Sequence, residues 1–210
     1  MDLAGRPMLE WSLNALGDAG SIGEIVVVLP SGEVPAAGSQ LAERTLVEGG
    51  RTRSESVRNG LERVQTEMVA VHDAARPLIT AELVDDLVEE LFNRPDAAAV
   101  IAAAPLTDTV KRTREPRGAR GEVPRGGPTV GETLSRDHLW AAQTPQVFRT
   151  EALRAAMEAD PQRLAAATDD AWLVEKAGGK VLILPSPAEN LKVTTPTDLR
   201  IAGLLLEGRG

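Results

Sequence analysis

Short apolar stretches alternate along this chain with stretches of helical period, and this alternation restricts the fold more than any other feature. Residues 25–29 form a continuous, β-branched run, which is typical of a strand buried on both faces of a parallel sheet. Strands that alternate with helices are joined by right-handed crossovers, so we predict an α/β fold with a mostly parallel sheet and helices on both faces. The other predicted strands are residues 45–48, 69–71, 98–103 and 181–184.

The predicted helices begin at recognisable sequence signals. Proline at position 7 is tolerated in a first helical turn, and we predict a helix over residues 7–19. The spacing of apolar residues predicts another helix over residues 53–64. Thr80 and Thr195 each stand before a helical pattern as N-terminal caps, and the segment that begins at Thr195 has the pattern of a capping box.

One segment interrupts the alternation. Residues 114–128 are rich in glycine, proline and arginine, and they lie between strand-like flanks at 108–112 and 129–134. This arrangement predicts a protruding hairpin with a flexible tip, an arm over about residues 108–137. A lone hairpin is only marginally stable in water, so we expect the arm to pack against a second subunit.

Charge and composition exclude several classes of protein. With a formal net charge of -8, the 210-residue chain is poorly suited to bind nucleic acid or an anionic membrane. It has no cysteine, no apolar run near the ~18 residues of a membrane span and no signal peptide, so we predict a cytoplasmic protein without a membrane partner. A small anionic substrate remains compatible with this charge where cations are concentrated, as at Arg51, Arg53 and Arg58.

The strongest candidate site follows the apolar run at residues 68–71, where Asp73 stands just beyond the run and Arg76 follows three residues later. Ligands of open α/β sheets bind beyond the carboxyl ends of strands. A carboxylate there can hold a ribose hydroxyl or a metal, and an arginine can bind phosphate. A surface ion pair is the alternative, but the position at a strand end favours function. His72 and His138 have no metal-ligand spacing, and we interpret His72 as a strand residue satisfied by a hydrogen bond.

The glycine pair Gly49 and Gly50 is a weaker signal. The pair precedes a predicted helix, and glycine lets a base or a phosphate approach the backbone closely. Ser54 or Ser56 would then cap that helix or donate to the edge of a base. A structural turn followed by a helix cap is the simpler interpretation of this segment.

Three further segments each have a structural and a functional interpretation. Residues 143–148 have the composition of a polar turn before a helix, although the Thr144 hydroxyl can contact a phosphate there. Residues 168–171 are typical of a helix N-terminus with acids in its first turn, and paired acids can also bind Mg²⁺. Lys192 lies in a short strand-like stretch, where a solvated surface lysine is the default interpretation.

Taken together and in this order, seven short motifs resemble the 2-C-methyl-D-erythritol 4-phosphate cytidylyltransferase family of the non-mevalonate isoprenoid pathway. That family joins CTP to a sugar-alcohol phosphate and releases pyrophosphate with Mg²⁺. The resemblance implies a Rossmann-like nucleotidyltransferase sheet and one nucleotidyltransferase domain over residues 1–210, with the arm inserted in it. The motifs are Gly-Arg-Pro-Met-Leu (5–9), Gly-Gly-Arg-Thr-Arg-Ser-Glu-Ser-Val (49–57), Val-His-Asp-Ala-Ala-Arg-Pro (71–77), Asp-Thr-Val-Lys-Arg (108–112), Gln-Thr-Pro-Gln-Val-Phe (143–148), Thr-Asp-Asp-Ala (168–171) and Asn-Leu-Lys-Val-Thr (190–194).

The resemblance also implies roles for single residues, and no protein ligand of a metal is among them. Lys192, Asp73 and Arg136 would be catalytic. Arg136 and Thr109 would reach from the arm into the site of a partner subunit and hold the substrate phosphate, because the family forms homodimers through that arm. The substrate-binding residues would be Gly50 and Ser56 at the cytosine, Ala74 and Arg76 with Asp73 at the methylerythritol moiety and the nucleotide, and Thr144, Thr168 and Lys192 in the phosphate cradle.

The implied reaction suits these residue types. A phosphate monoester has a second pKa of about 6 and is largely dianionic at pH 7. Its oxygen can attack the α-phosphorus of CTP directly, so no protein nucleophile or strong base is required. The protein has to align two polyanions and stabilise an in-line transition state, for which arginine, lysine, threonine and Mg²⁺ are suited.

The printed sequence departs from the family pattern at its beginning. The family starts with a strand central to the sheet and a glycine-rich loop, Ala-Ala-Gly-x-Gly-x-Arg then x-Pro-Lys, whereas this sequence starts at the segment after them. We expect that Met1 is an internal methionine or that the sequence is shortened, because every other motif is retained. The alternative is a degenerate, non-catalytic nucleotide-binding dimer. Within the enzyme class, ribitol 5-phosphate is the rival acceptor, because the two families share much of this pattern.

Overall fold

The structure, a computed structural model, describes residues 1–33, 41, 44–115, 123 and 126–208. In this part of the chain, strands and helices alternate much as the sequence predicts. The strands are β1 (Asp2–Leu3), β2 (Arg6–Pro7), β3 (Val26–Leu29), β4 (Thr45–Glu48), β5 (Met68–Val71), β6 (Ala99–Pro105), β7 (Lys111–Thr113), β8 (Val130–Thr133), β9 (Trp140–Arg149) and β10 (Val181–Pro185). The helices are α1 (Met8–Asp18), α2 (Arg53–Leu61), α3 (Ala81–Asn93), α4 (Thr150–Met157), α5 (Pro161–Ala166), α6 (Asp170–Lys176) and α7 (Pro196–Glu207).

The main sheet contains four strands in the order β10-β6-β9-β5. β10 pairs with β6 in parallel, whereas β9 is antiparallel to both β6 and β5. Strands β10, β6 and β5 therefore run in one direction and β9 runs in the other. The predicted α/β fold with a mostly parallel sheet is confirmed.

Helices cover both faces of this sheet. Along β6, Ala99 and Ile101 pack with apolar side chains of α4 and α6, whereas Val100 and Ala102 pack with α3 on the opposite face. Among the described residues, Phe148 on β9 is the one aromatic side chain in the buried core. Within those same residues, no helix combines the length and hydropathy needed to cross a membrane.

The helix caps follow the sequence with one correction. The side chain of Thr80 caps α3, and Thr195 opens α7 with the predicted capping box. Neither Ser54 nor Ser56 caps α2, because the helix begins at residue 53 and both serines lie inside it. The cap is Thr52, whose side chain accepts a hydrogen bond from a backbone N–H of the first turn.

The prediction of a polar turn at residues 143–148 is wrong, because these residues belong to β9, an inner strand of the main sheet. Proline and polar residues usually argue against an inner strand. Here the pairing of β6 with β9 shifts register between Ile101 and Ala103, and Pro145 lies at this irregularity without a ladder partner. The Gln146 side chain is buried but hydrogen-bonded inside the protein, which the sequence pattern does not reveal.

The predicted hairpin is present. Strands β7 and β8 pair antiparallel, with Lys111 opposite Thr133. Most of the predicted tip, residues 116–122 and 124–125, lies outside the described residues. Strand β8 is exposed along its whole length, and the packing of the arm against a second subunit stays a prediction.

A cleft of about 760 Å³ lies between the main sheet and a second sheet formed by β3 and β4. Strands β3 and β4 pair in parallel, and within the described residues neither pairs with β5. Consecutive residues, 25–30 and 68–75, line the cleft, so it runs along the edges of β3 and β5 rather than over one face.

Candidate active site

The cleft is bordered at one place by a charged cluster, which we define as Arg53, Asp73, Asp170 and Lys192. Asp73 follows β5, and its Oδ1 accepts a hydrogen bond from Nε of Arg53 at 3.1 Å. Its Oδ2 accepts from Nζ of Lys192 at 2.8 Å. Arg53 opens α2 and Lys192 lies between β10 and α7, so three distant segments meet at one carboxylate. Arg53, Asp73 and Lys192 all line the cleft.

Asp73 is ionised in this environment. Its side chain is only 16% exposed, and burial by itself raises the pKa of the carboxyl group. The hydrogen bond from Lys192 and the charge of Arg53 outweigh burial, so the pKa of Asp73 is below its ordinary value. The carboxylate therefore carries a full negative charge at neutral pH and holds two cations beside the cleft.

Arg53 connects Asp73 to a deeper carboxylate. Its Nη1 donates to Oδ2 of Asp170 at 2.7 Å, and the Asp170 side chain has no exposed surface. Burial lowers the pKa of Arg53, but the two carboxylates together raise it above its ordinary value. Burial likewise raises the pKa of Asp170, whose Oδ1 has no hydrogen-bond partner among the described residues. The sequence marked Arg53 only as part of a basic group, and no pattern joins it to a residue 117 positions away.

Thr144 lies against the backbone of Asp73. The N–H of Asp73 donates to Oγ1 of Thr144 at 3.0 Å, and the same hydroxyl lies 3.1 Å from Nδ1 of His72. The other ring nitrogen of His72 lies 3.1 Å from the carbonyl oxygen of Arg76. His72 is thus hydrogen-bonded as predicted, although β5 ends one residue before it. Because the Thr144 hydroxyl is engaged inside the protein, its contact with a phosphate stays a prediction.

Arg76 is hydrogen-bonded to the backbone of β9 and of the segment before Lys192. Its Nη1 donates to the carbonyl of Asn190 at 2.7 Å and its Nη2 to that of Ala142 at 3.4 Å. Burial lowers the pKa of Arg76, and the charge of Asp73 opposes this only in part. Arg76 therefore joins the loop after β5 to β9 and to the segment before Lys192, and its contact with substrate stays a prediction.

Two buried amides hold the backbone at Thr144. The Nδ2 of Asn190 donates to the carbonyl of Thr144 and to Oε1 of Gln143, each at 3.0 Å. Both amide side chains are buried. Sequence reasoning missed their role, because each lies in a different motif and neither pattern shows that the two motifs touch.

Gly50 and Ser56 form a closed turn at the start of α2. The N–H of Gly50 donates to Oγ of Ser56 at 3.1 Å, and that hydroxyl donates to the carbonyl of Thr52 at 2.9 Å. A Cβ on Gly50 would lie 2.2 Å from Cβ of Glu55, so the turn requires glycine. Ser56 lines the cleft together with Ala74, which brings two more of the predicted residues to the same opening.

Three predicted site residues are not joined to the charged cluster within one chain. Thr109 and Arg136 are exposed on the arm, where Arg136 donates to a backbone carbonyl. Thr168 is exposed just before Asp169, which caps α6, so the predicted helix N-terminus is confirmed there. In the part of the chain that the structure describes, no hydrogen bond links the three residues to the cluster, and their roles stay predictions.

The described residues do not build a metal site of their own. They contain no group of three histidine, cysteine, aspartate or glutamate side chains placed to hold an ion. Both oxygens of Asp73 are engaged by cations, and Asp170 is enclosed behind Arg53. Mg²⁺ usually keeps several water and phosphate ligands in nucleotide sites, so a cation here would depend mainly on the phosphates that accompany it.

An α/β sheet that gathers arginine and lysine at a strand end, beside an open cleft, is suited to bind a phosphorylated substrate such as a nucleotide. The family model described as 2-C-methyl-D-erythritol 4-phosphate cytidylyltransferase matches residues 1–208. The chain therefore belongs to this family, whose members are CTP-dependent nucleotidyltransferases of isoprenoid biosynthesis. The resemblance inferred from the seven motifs is confirmed.

Relatives and solved structures agree with this membership. The chain is 42% identical over 209 residues to the bifunctional enzyme IspD/IspF of Anaeromyxobacter dehalogenans, covering 98% of this chain but only 51% of that relative. It is 38% identical over 216 residues to the 2-C-methyl-D-erythritol 4-phosphate cytidylyltransferase of Alkaliphilus metalliredigens, covering 99% and 84%. The crystal structure of the enzyme of that name from Thermus thermophilus is similar with a TM-score of 0.80, 32% identity and coverage of 98% and 92%.

Proposed function

We propose that this protein transfers CMP from CTP to 2-C-methyl-D-erythritol 4-phosphate and releases pyrophosphate. One observation carries the proposal: Arg53 and Lys192 converge on Asp73 at the end of β5. This is the position at which open α/β sheets bind their ligands. The name of the Alkaliphilus relative, which aligns over 99% of this chain, supports the same substrate.

The transfer is a single in-line displacement. A phosphate oxygen of the acceptor forms a bond to the α-phosphorus of CTP. The bond from that phosphorus to the oxygen bridging the β-phosphorus breaks, and its electron pair leaves with pyrophosphate. Because the attacking oxygen is already anionic at neutral pH, the protein supplies alignment and positive charge rather than a nucleophile.

Lys192 is the member of the charged cluster best placed to meet a phosphate. Its side chain is 43% exposed, whereas Asp170 is enclosed. When a polyanion enters the cleft, Nζ of Lys192 can turn its remaining N–H donors to phosphate oxygens while Asp73 holds it in place. Arg53, bound to two carboxylates, keeps Asp73 charged, and Asp73 accepts hydrogen bonds from hydroxyls of the sugar alcohol.

The remaining roles follow the family pattern and extend to a second subunit. We place Thr109 and Arg136 of one protomer at the acceptor phosphate in the partner's site, so that the arm forms the homodimer. Their exposure in the single chain supports this arrangement. The other proposed contacts are Gly50 and Ser56 with cytosine, Ala74 and Arg76 with the acceptor and nucleotide, and Thr144 and Thr168 with phosphates.

Mg²⁺ belongs to the proposal as a companion of CTP. The described residues build no site for it, so we place it on the triphosphate, where it offsets negative charge as the substrate binds. The protein is proposed to work in the cytoplasm, where CTP is available.

A lysine substitution tests the proposal. Lys192→Gln removes the positive charge beside Asp73 and leaves a polar side chain one atom shorter, so we expect kcat/KM to fall by roughly 100-fold. The matched control is Lys180→Gln, because Lys180 also pairs with an aspartate, Asp96 at 2.5 Å, but on the surface at the start of β10. Pyrophosphate release with CTP and methylerythritol phosphate is the measurement, and the control should stay within about twofold of wild type.

Three results would contradict parts of this proposal. If kcat/KM falls equally in Lys192→Gln and Lys180→Gln, Lys192 has no special role in the site. Equal turnover of ribitol 5-phosphate would overturn the acceptor assignment. If calorimetry shows that the protein binds CTP but no CMP transfer is detected, the result would favour a non-catalytic nucleotide-binding dimer over an enzyme.

A further inference from the structure

His72 closes a ring of hydrogen bonds beneath the charged cluster. Its Nε2 lies 3.1 Å from the carbonyl oxygen of Arg76, and its Nδ1 lies 3.1 Å from the hydroxyl of Thr144. That hydroxyl accepts from the N–H of Asp73 at 3.0 Å, and the carbonyl of Asp73 accepts from the N–H of Arg76 at 2.9 Å. The ring therefore returns to its starting residue and encloses the turn that carries Asp73.

The hydrogen-bond partners of His72 determine the protonation state of its imidazole. The Arg76 carbonyl can only accept, so Nε2 of His72 must carry a hydrogen. Oγ1 of Thr144 already accepts from Asp73, and its own hydrogen needs an acceptor. A bare Nδ1 is that acceptor, so the neutral Nε2–H tautomer satisfies every member of the ring.

The surroundings of His72 favour the same neutral state. Burial lowers the pKa of His72 to about 4, although the carbonyl of Arg76 and the charge of Asp73 act in the opposite direction. The Arg76 guanidinium adds to the lowering. The Arg76 carbonyl also receives a long contact from the Ser12 hydroxyl at 3.4 Å, which leaves the hydrogen bond from His72 as its shorter partner.

We propose that His72 is a positioning residue for the transfer reaction. Its neutral ring orients the Thr144 hydroxyl toward the backbone of Asp73 and so fixes the carboxylate between Arg53 and Lys192. His72 makes its hydrogen bonds to Arg76 and Thr144 rather than to the charged cluster, so it acts through Asp73. The inference rests on the proposed transferase activity, but the ring of hydrogen bonds can be tested without turnover.

Three substitutions of His72 separate its two hydrogen bonds. His72→Phe removes both, and we expect kcat to fall roughly tenfold because Asp73 and Lys192 lose their alignment. The KM for CTP should change less than kcat, because the proposed cytosine contacts lie in the separate turn of Gly50 and Ser56. His72→Asn keeps an acceptor near the position of Nδ1 and should recover most of kcat. His72→Gln keeps only the donor toward Arg76 and should recover less.

Thr144→Val tests whether the two side chains act through one another. It removes the hydroxyl with little change of shape, so the double variant His72→Phe with Thr144→Val should lose no more kcat than the more affected single variant. His138→Phe is the matched control, because His138 is the second of two histidines in the chain and lies exposed just beyond the arm. Multiplicative losses in the double variant would overturn the proposal, as would a His72→Gln variant equal to His72→Asn.

Nitrogen NMR of the wild-type protein is independent of turnover. With two histidines in the sequence, His138→Phe assigns the signals. Between about pH 6 and 8 we expect Nε2 of His72 protonated and Nδ1 bare, with the Nδ1 signal displaced in Thr144→Val. A protonated Nδ1 would overturn the proposal even in an active enzyme. The expected tautomer in a protein without CMP transfer would instead leave the ring intact and contradict only the proposed function.

Discussion

Asp73 shows how one carboxylate can organise segments that are far apart in the chain. Its partners Arg53 and Lys192 are 20 and 119 positions away, and each donates to a different oxygen. Burial alone would favour the neutral acid, yet the two cations reverse that effect and lower its pKa. The fold therefore determines both where the Asp73 carboxylate lies and that it is ionised there.

Replacing this carboxylate has an expected cost and an expected pH dependence. Asp73→Asn should lower the free energy of unfolding at pH 7 by roughly 2 kcal/mol, because a charged hydrogen-bond acceptor is lost between two cations. The pKa of Asp73 in the folded protein lies below its ordinary value of 3.8. The advantage of wild type is therefore complete above that value and is lost as the pH falls through the folded-state pKa.

Urea unfolding of both proteins at pH 7 and from about pH 5 to 3 measures this difference. Asp96→Asn is the control, since Asp96 also pairs with a lysine but on the surface, where a single ion pair contributes little. A difference between wild type and Asp73→Asn that stays constant through the acid range would contradict the ion-pair explanation.

At the scale of an element, α3 depends on a cap that the sequence already marks. Thr80 accepts a hydrogen bond from Leu83 N–H, and the helix buries Leu87 and Leu91 against the sheet and Val84 against apolar side chains of and after α1. Thr80→Ala leaves that N–H unsatisfied, so we expect a loss of about 1 kcal/mol in the free energy of unfolding. Thr80→Ser keeps the hydroxyl and should lose much less. Chemical denaturation measures both, and equal losses would show that the hydroxyl is not the source of the stability.

The elements that sequence reasoning predicts well are those whose signal is local. The β-branched run of β3 and the caps at Thr80 and Thr195 are examples, because strand burial and capping depend on near neighbours. Strand β9 was missed for the opposite reason. Its polar residues are acceptable in an inner strand only because distant groups satisfy them, as Asp169 does for Gln146 at 3.0 Å.

The candidate site likewise contains residues that the sequence pattern identifies and residues whose roles depend on distant contacts. The motif pattern singled out Asp73, Thr144 and Lys192, and the structure brings them together through hydrogen bonds. It did not assign Asp170 to Arg53 or His72 to Thr144, because those pairings depend on how loops fold back on one another. Chemistry-bearing residues can be recognised from a sequence, whereas their supports depend on tertiary contacts.

At the scale of the molecule, the gap between β3 and β5 and the charged cluster border the same cleft. Strands β3 and β5 each present an edge to the cleft, and unpaired strand edges favour further pairing. The charged cluster borders the same cleft, so the geometry of β5 and the position of Asp73 are coupled.

The proposed sharing of sites between subunits gives the last prediction. Lys192→Gln damages the site of its own protomer, whereas Arg136→Ala damages the site of the partner if the arm acts across the dimer. In a mixed dimer of the two variants, one site then lacks both groups and the other lacks neither. Random pairing makes half of the dimers mixed, so co-expression of the variants should restore about a quarter of wild-type activity.

The two variants purified separately are the control, and each should be nearly inactive in pyrophosphate release. Distinct affinity tags on the two chains allow the mixed dimer to be isolated, and its activity should then approach half that of wild type, since about one site in two is intact. If Arg136 acts within its own protomer, both sites of the mixed dimer are damaged and no activity returns. Recovery therefore depends on the arm crossing to the partner, because neither parent variant contains a complete set of phosphate-binding cations.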